Sequence, residues 1–149
     1  MGFIDENLMK DENVIHRTKL HWIIFFWPIV ISIFGVLLMI SNPTTFISYF
    51  LITVAIFLWL RSLIMYSTSE FGITDKRVLI KTGFIQRNSH EILLSKIEAI
   101  KVNQGILGRM LDFGTISVTG TGGTQDPFSN IVQPLEFRKQ VQEQISKAV

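Results

Sequence analysis

The sequence predicts a membrane-anchored protein in which a two-helix transmembrane hairpin carries a mainly-β module closed by a C-terminal helix. Three observations predict it. Trp22 to Leu60 contains no Asp, Glu, Lys, Arg or His, and a bilayer core of about 30 Å takes roughly 20 helical residues to cross. After Met65 the texture changes to short runs of alternating apolar and polar side chains, separated by Thr-Asp, Thr-Gly and Asp-Pro, as in strands and turns. Finally, Pro134 opens a stretch in which Phe137, Val141, Ile145 and Val149 recur every four residues, as on one narrow helix face.

The uncharged stretch divides in two. Its first run, residues 22–40, is long enough to span. Ser41-Asn42-Pro43-Thr44-Thr45 is a turn signal. The second run, residues 46–65, is long enough when the helix continues past Arg61, whose stem snorkels its charge to the headgroups. The first run is too long for a signal-peptide core and has no small-x-small cleavage site after it. A hairpin buried inside a soluble protein is disfavoured, because too little chain remains to cover both helices on all sides. Arg17 and Lys19 precede the first helix, Arg61 ends the second, and the loop is uncharged. The positive-inside rule then gives a multi-pass membrane protein with the loop facing out and both termini cytoplasmic. Arg17, Lys19, Trp22, Trp59 and Arg61 are the expected interface anchors, with Trp27 and Tyr66 in the same aromatic belt. Pro28 is tolerable in the first turn, and Gly35 lets the two helices approach closely.

The chain has 149 residues and 48% hydrophobic content. About 85 residues beyond the hairpin suffice for one small cytoplasmic domain, residues 66–149, and no second one. Residues 1–21 are a polar lead-in. A surface helix on Phe3, Ile4, Leu8 and Met9 and a plain exposed leader fit it equally, and Val14 to Leu20 is compatible with a strand that joins the module. The net charge is +2 and the pI about 9.0. With 11 Lys/Arg against 8 Asp/Glu after Leu60, no nucleic-acid surface is expected. The absence of cysteine excludes disulfides, thiol catalysis and cysteine-ligated metal.

Strands are expected over residues 67–73, 76–81, 84–94, 97–104, 115–119 and 128–132. One helical turn is expected at Ile106 to Leu111. The arrangement is a strongly bent antiparallel sheet closed by the last helix. The residues Thr68-Ser-Glu-Phe-Gly-Ile-Thr-Asp-Lys-Arg-Val-Leu-Ile-Lys-Thr-Gly83 and Leu94-Ser-Lys-Ile-Glu-Ala-Ile-Lys-Val-Asn-Gln104 come first. Gly108-Arg109, Phe113-Gly-Thr-Ile-Ser-Val118, Gly120-Thr-Gly-Gly123 and Pro127-Phe128 follow in order. Together they resemble the membrane-anchored bacterial pleckstrin-homology (PH-like) domain family of the second bacterial type, over Leu20 to Lys139. Arg17-Thr-Lys-Leu-His-Trp22 resembles its usual lead-in. The resemblance implies a PH-like split barrel of seven strands. About six are placed after the hairpin, so either the lead-in supplies the seventh or one run holds two.

No catalytic constellation emerges. His90 is the one histidine after the hairpin, so a metal site has too few ligands. Asp112, Asp126 and Glu98 are scattered, and Ser117 and Ser129 lack a base. No cofactor is expected. Gly120-Thr-Gly-Gly-Thr124 lacks the Lys-Ser/Thr ending of a phosphate loop and reads as a turn, although its backbone donors are compatible with an anion. Lys76, Arg77, Lys81, Arg87 and Arg109, with Gly122 and Gly123, are the candidate lipid- or anion-binding residues, since cations near an anionic leaflet are attracted to it. Fold does not fix ligand. The favoured expectation is a non-enzymatic module that associates with protein, another membrane protein or its own copies as a homo-oligomer, through sheet edges or packing of the hairpin in lipid. The alternatives are binding of anionic lipid headgroups, or service as an accessory subunit of a transport or stress-response assembly.

Overall fold

A computed structural model describes residues 3–82, 88–121, 123 and 125–148. In chain order the elements are α1 (Phe3–Glu6), β1 (Val14–Thr18), a 3-10 turn (Trp22–Phe25), α2 (Phe26–Ser41) and α3 (Phe46–Thr68). They continue with β2 (Glu70–Thr74), β3 (Arg77–Thr82), β4 (Asn88–Leu93), a second 3-10 turn (Leu94–Lys96) and β5 (Ile97–Asn103). The last are α4 (Ile106–Leu111), β6 (Phe113–Gly120), β7 (Gln125–Val132) and α5 (Pro134–Ala148). They form two compact units. One is Trp22–Ser67; the other is made from both flanks, Met1–His21 and Thr68–Val149.

The helical unit holds two helices long and apolar enough to cross a membrane, Trp22–Ser41 and Phe46–Thr68. The first starts as a 3-10 turn because Pro28 has no N–H to give the Ile24 carbonyl. That carbonyl accepts instead from Ser62 Oγ on α3, at 3.2 Å. Asn42 N–H bonds back to Leu38 O, and Ser48 Oγ to Thr45 O at 2.7 Å, so the four-residue loop closes both helix ends. The two helices meet along Phe25, Pro28, Ser32 and Gly35 on one side and Ser48, Ile52, Ala55, Trp59 and Ser62 on the other. The alternating three- and four-residue steps are those of a coiled-coil seam. Pro28, Gly35, Ser48 and Ala55 are buried there. The small residues permit contact: a Cβ on Gly35 would lie 3.1 Å from Ile52 Cγ1 and 3.4 Å from Leu51 Cβ. Gly35→Leu should therefore push the helices apart. All three tryptophans, Trp22, Trp27 and Trp59, belong to this unit, so a changed tryptophan emission of the variant in detergent checks the expectation.

The second helix runs three residues beyond the expected Met65. Ser67 Oγ donates to Leu63 O at 2.8 Å and holds the last turn, so the following strand starts at Glu70 instead of Ser67. The third expected strand is described only from Asn88. Gly83, Phe84 and Arg87 lie outside the described residues.

In the other unit, β1-β2-β3-β4 and β5-β6-β7 form two antiparallel sheets. They join where the chain continues past β1: Leu20 pairs with Ile131, His21 N–H donates to Asn130 O, and Val132 N–H donates to Lys19 O. The lead-in thus supplies the seventh strand among the described residues. The sheets enclose one core. Phe71, Ile73, Val78 and Ile80 come from the first; Ile116, Val118, Phe128 and Ile131 come from the second, all buried. Phe71 meets Phe128 edge-on at 6.1 Å. Helix α5 adds Phe137 and Val141, both 0% exposed, as their four-residue spacing requires. Gln144 is buried on the same helix although its type did not announce it.

The lead-in is no plain exposed leader: it opens with the short helix α1, packed on the sheet through Ile4, and joins the unit as β1. Ile4 is 2% exposed and packs on Gly72, where a Cβ would come within 2.7 Å of Ile4 Cδ1. The Ile4 amide donates to Glu70 Oε2, Arg17 pairs with Asp5, and Asn13 exchanges bonds with Asp75. The outer face of β2–β3 is therefore covered, which explains why Leu79 is as buried as its neighbours Val78 and Ile80.

Candidate functional site

Under the lead-in lies a buried ionic cluster. Arg77 Nε and Nη2 donate to the two carboxylate oxygens of Glu12, at 2.9 and 3.0 Å. Nη1 donates to Glu91, and Nη2 also reaches Asn7 O at 2.7 Å. Glu12 further accepts from Met9 N–H and Thr74 Oγ1, both at 2.7 Å. Burial works against the Glu12 charge, but the Arg77 guanidinium, the Met9 amide and the Thr74 hydroxyl outweigh it and hold its pKa at about 2, down from 4.5. Arg77 is 5% exposed. It therefore leaves the set of candidate lipid-binding cations: its charge is neutralised inside the protein and braces the lead-in against the sheet.

The other candidates do not converge. Lys76 is exposed beside the β2–β3 turn, its ammonium 3.3 Å from Lys10 O. Lys81 lies opposite Glu70 near the other end of the same strand, five residues on and so roughly 17 Å away. Arg109 is exposed on α4. Arg87 and Gly122 lie outside the described residues. Gly123 is exposed at φ 75°, and its amide closes a turn on Gly120 O, the conformational role for which glycine is suited. His90 lies against the Phe128 ring at 5.7 Å. Among the described residues no group of three His, Asp or Glu side chains is placed to hold a metal.

The expected anchors also separate. Arg17 and Lys19 are exposed beside the buried Thr18 and Leu20, with Arg17 held by Asp5. Trp22 is 53% exposed at the head of the first helix, and Arg61 is exposed next to Ser62, which bonds to Ile24 near that head. Trp59 is different. It stacks on Phe25 at 5.4 Å, and its Nε1–H donates to Ser32 Oγ at 3.2 Å. Its ring lies in the seam between the helices, where an indole N–H must find a partner inside the pair, so it packs the two helices together.

Two surfaces remain available for contact. Strands β4 and β5 end their sheets among the described residues, and on β5 Glu98, Ala99, Lys101 and Asn103 are exposed. The second is α4, which turns Ile106, Leu107 and Met110 outward at 82%, 64% and 76% exposure. The sequence carried the signal for this, apolar residues at i, i+1, i+4 and i+5 of a short loop, but not the outward direction. The Glu12–Arg77 partnership, 65 residues apart, left no signal in spacing.

A family model described as a bacterial PH domain matches residues 22–145. The match takes in both apolar helices and most of the β unit, and begins after β1, Ile4 and Glu12. No curated protein and no solved structure matches the chain.

Proposed function

The chain belongs to the bacterial PH domain family, and from that premise we propose that it is a non-enzymatic, two-span membrane protein that presents its PH-like module for protein association, its own copies included. The observation that carries this reading is the outer surface of the helical unit. Phe26, Trp27, Ile33, Phe34, Leu37 and Ile40 on α2 are exposed, as are Phe46, Ile47, Phe50, Phe57 and Leu60 on α3. Water does not tolerate such an apolar girdle, whereas lipid or other apolar helices cover it. The flanking Arg17, Lys19 and Arg61 against an uncharged loop support a cytoplasmic position for both termini in an inner membrane. Among the binding modes, the end strands β4 and β5 support addition of a partner strand. A single headgroup pocket has less support, because Arg77 is engaged internally and Lys76 and Lys81 are a strand length apart. An accessory role in a transport or stress-response assembly differs only in the partner.

The test is the mass of the full-length protein in detergent, by light scattering coupled to size exclusion. A defined multiple of the 17.1 kDa chain is expected. A monomer at every concentration, with no protein retained by the purified chain in a membrane extract, would overturn protein association.

A further inference from the structure

We propose that α4 is a third membrane contact, a short wedge whose Ile106, Leu107 and Met110 enter the headgroup region of the same bilayer while Arg109 meets lipid phosphate. The inference rests on the two-span reading above. Four features of the β unit carry it.

The apolar face of α4 is fixed outward. Gln104 Nε2 donates to Gly108 O and Phe113 O at 3.3 and 3.1 Å, clamping the helix against the start of β6. Gly108 is buried with no room for a Cβ, which would lie 2.5 Å from Phe113 O. Asp112 ends the helix at φ 56°, and its carbonyl accepts from Gln133 N–H. The exposed side chains are thus presented by a braced turn.

The position of α4 is the second feature. Phe113, two residues after it, stacks on the His21 ring at 5.0 Å. His21 is where the chain leaves this unit for the first apolar helix, with no intervening linker. Chain continuity at His21 therefore ties the part of the unit that carries α4 directly to the start of that apolar helix.

Charge is the third. The helix carries Arg109 and no acid. Lys19 lies on the strand segment bonded to Val132, whose other neighbour is Phe113. Asp112 is the one acid adjoining the helix in sequence. A basic, apolar turn suits an anionic leaflet.

Size is the fourth. A six-residue helix is about 9 Å long. It offers far less than the roughly 800 Å² per partner of a stable protein interface, so a second copy seated on α4 alone is the weaker occupant.

The native chain has no cysteine, so single cysteines report cleanly. Leu107→Cys, Met110→Cys, Lys10→Cys and Phe34→Cys would each be labelled with an environment-sensitive fluorophore in the full-length protein. Each protein would be reconstituted in phosphatidylcholine–phosphatidylglycerol vesicles carrying spin-labelled lipid. Lys10 is exposed ahead of the start of β1, far from His21, and Phe34 is exposed on α2. The expected result is blue-shifted, lipid-quenched emission at 107, 110 and 34, with water-like emission at 10. Quenching at 34 with water-like emission at 107 and 110 would overturn the α4 contact and leave the anchor standing. Emission at 107 and 110 shielded from aqueous iodide but untouched by lipid quencher would assign the face to protein and also overturn it. Failure of quenching at 34 would remove the two-span reading itself, and the α4 proposal with it.

Discussion

Glu12→Ala is expected to destabilise the β unit by about 3–5 kcal/mol, the cost of leaving one member of a buried ion pair without its partner. Arg77 would keep Glu91, but the Glu91 side chain is 41% exposed and its attraction is correspondingly screened. The same carboxylate gives the unit an acid-sensitive stability. Its pKa is lowered from 4.5 to about 2, so its contribution is complete above the unfolded value. That contribution is lost as the pH falls from about 4.5 towards 2. The shift is worth on the order of 3 kcal/mol, a large part of the 5–15 kcal/mol that holds a typical domain together. Glu12→Gln should flatten the stability curve in that window while leaving the shape above pH 5 unchanged. All three tryptophans and both tyrosines, Tyr49 and Tyr66, lie in Trp22–Ser67, so their fluorescence is blind to the event. The measurement is amide hydrogen exchange across β2 and β3 in the full-length protein. Unchanged protection of Val78 to Ile80 in Glu12→Ala would show that the cluster does not brace the sheet.

Much of this fold was legible because its signals are local. An unbroken uncharged run gives the two apolar helices, and alternation gives strands at Ile97 to Asn103 and Phe113 to Gly120. The turn at Ile106 to Leu111 appears where glycines flank an apolar doublet. What escaped is non-local. No rule of spacing joins Glu12 to Arg77 across two apolar helices, and an arginine in a basic run such as Lys76-Arg77 reads as a surface charge until its partner is placed. Trp59 shows the same limit within the helical unit. Its position near the end of an apolar run suggests an interface, while its environment is decided by Phe25 and Ser32 on the other helix. The outward face of α4 is the opposite case: its composition was visible, but apolar residues in a loop ordinarily fold inward, and Gly108 with Gln104 prevents it here.

The largest effect should follow from removing the lead-in. β1 pairs with β2 through Arg17↔Gly72 and Thr18↔Phe71, and past β1 the chain crosses to β7, where Leu20 pairs with Ile131. In sequence the apolar helices are thus inserted between two strands of the other unit that pair antiparallel. A fragment of residues 68–149 lacks β1, loses Ile4 from the Gly72–Leu79 face and leaves Arg77 without Glu12. It also strips the Asn130 and Val132 backbone of partners that join the two sheets. Each loss alone costs a kilocalorie or more by ordinary hydrogen-bond and burial magnitudes, about 1 per bond and about 2–3 per buried Ile. Together they approach the whole stability of a small domain. The fragment should give the collapsed amide spectrum of an unfolded chain. Joining residues 1–21 to 68–149 through a flexible Gly/Ser linker should restore dispersion and slow exchange at Val78 to Ile80. A folded fragment without the lead-in would refute the argument for β1 and Glu12. An unfolded joined module would mean that the β unit does not fold without the two apolar helices.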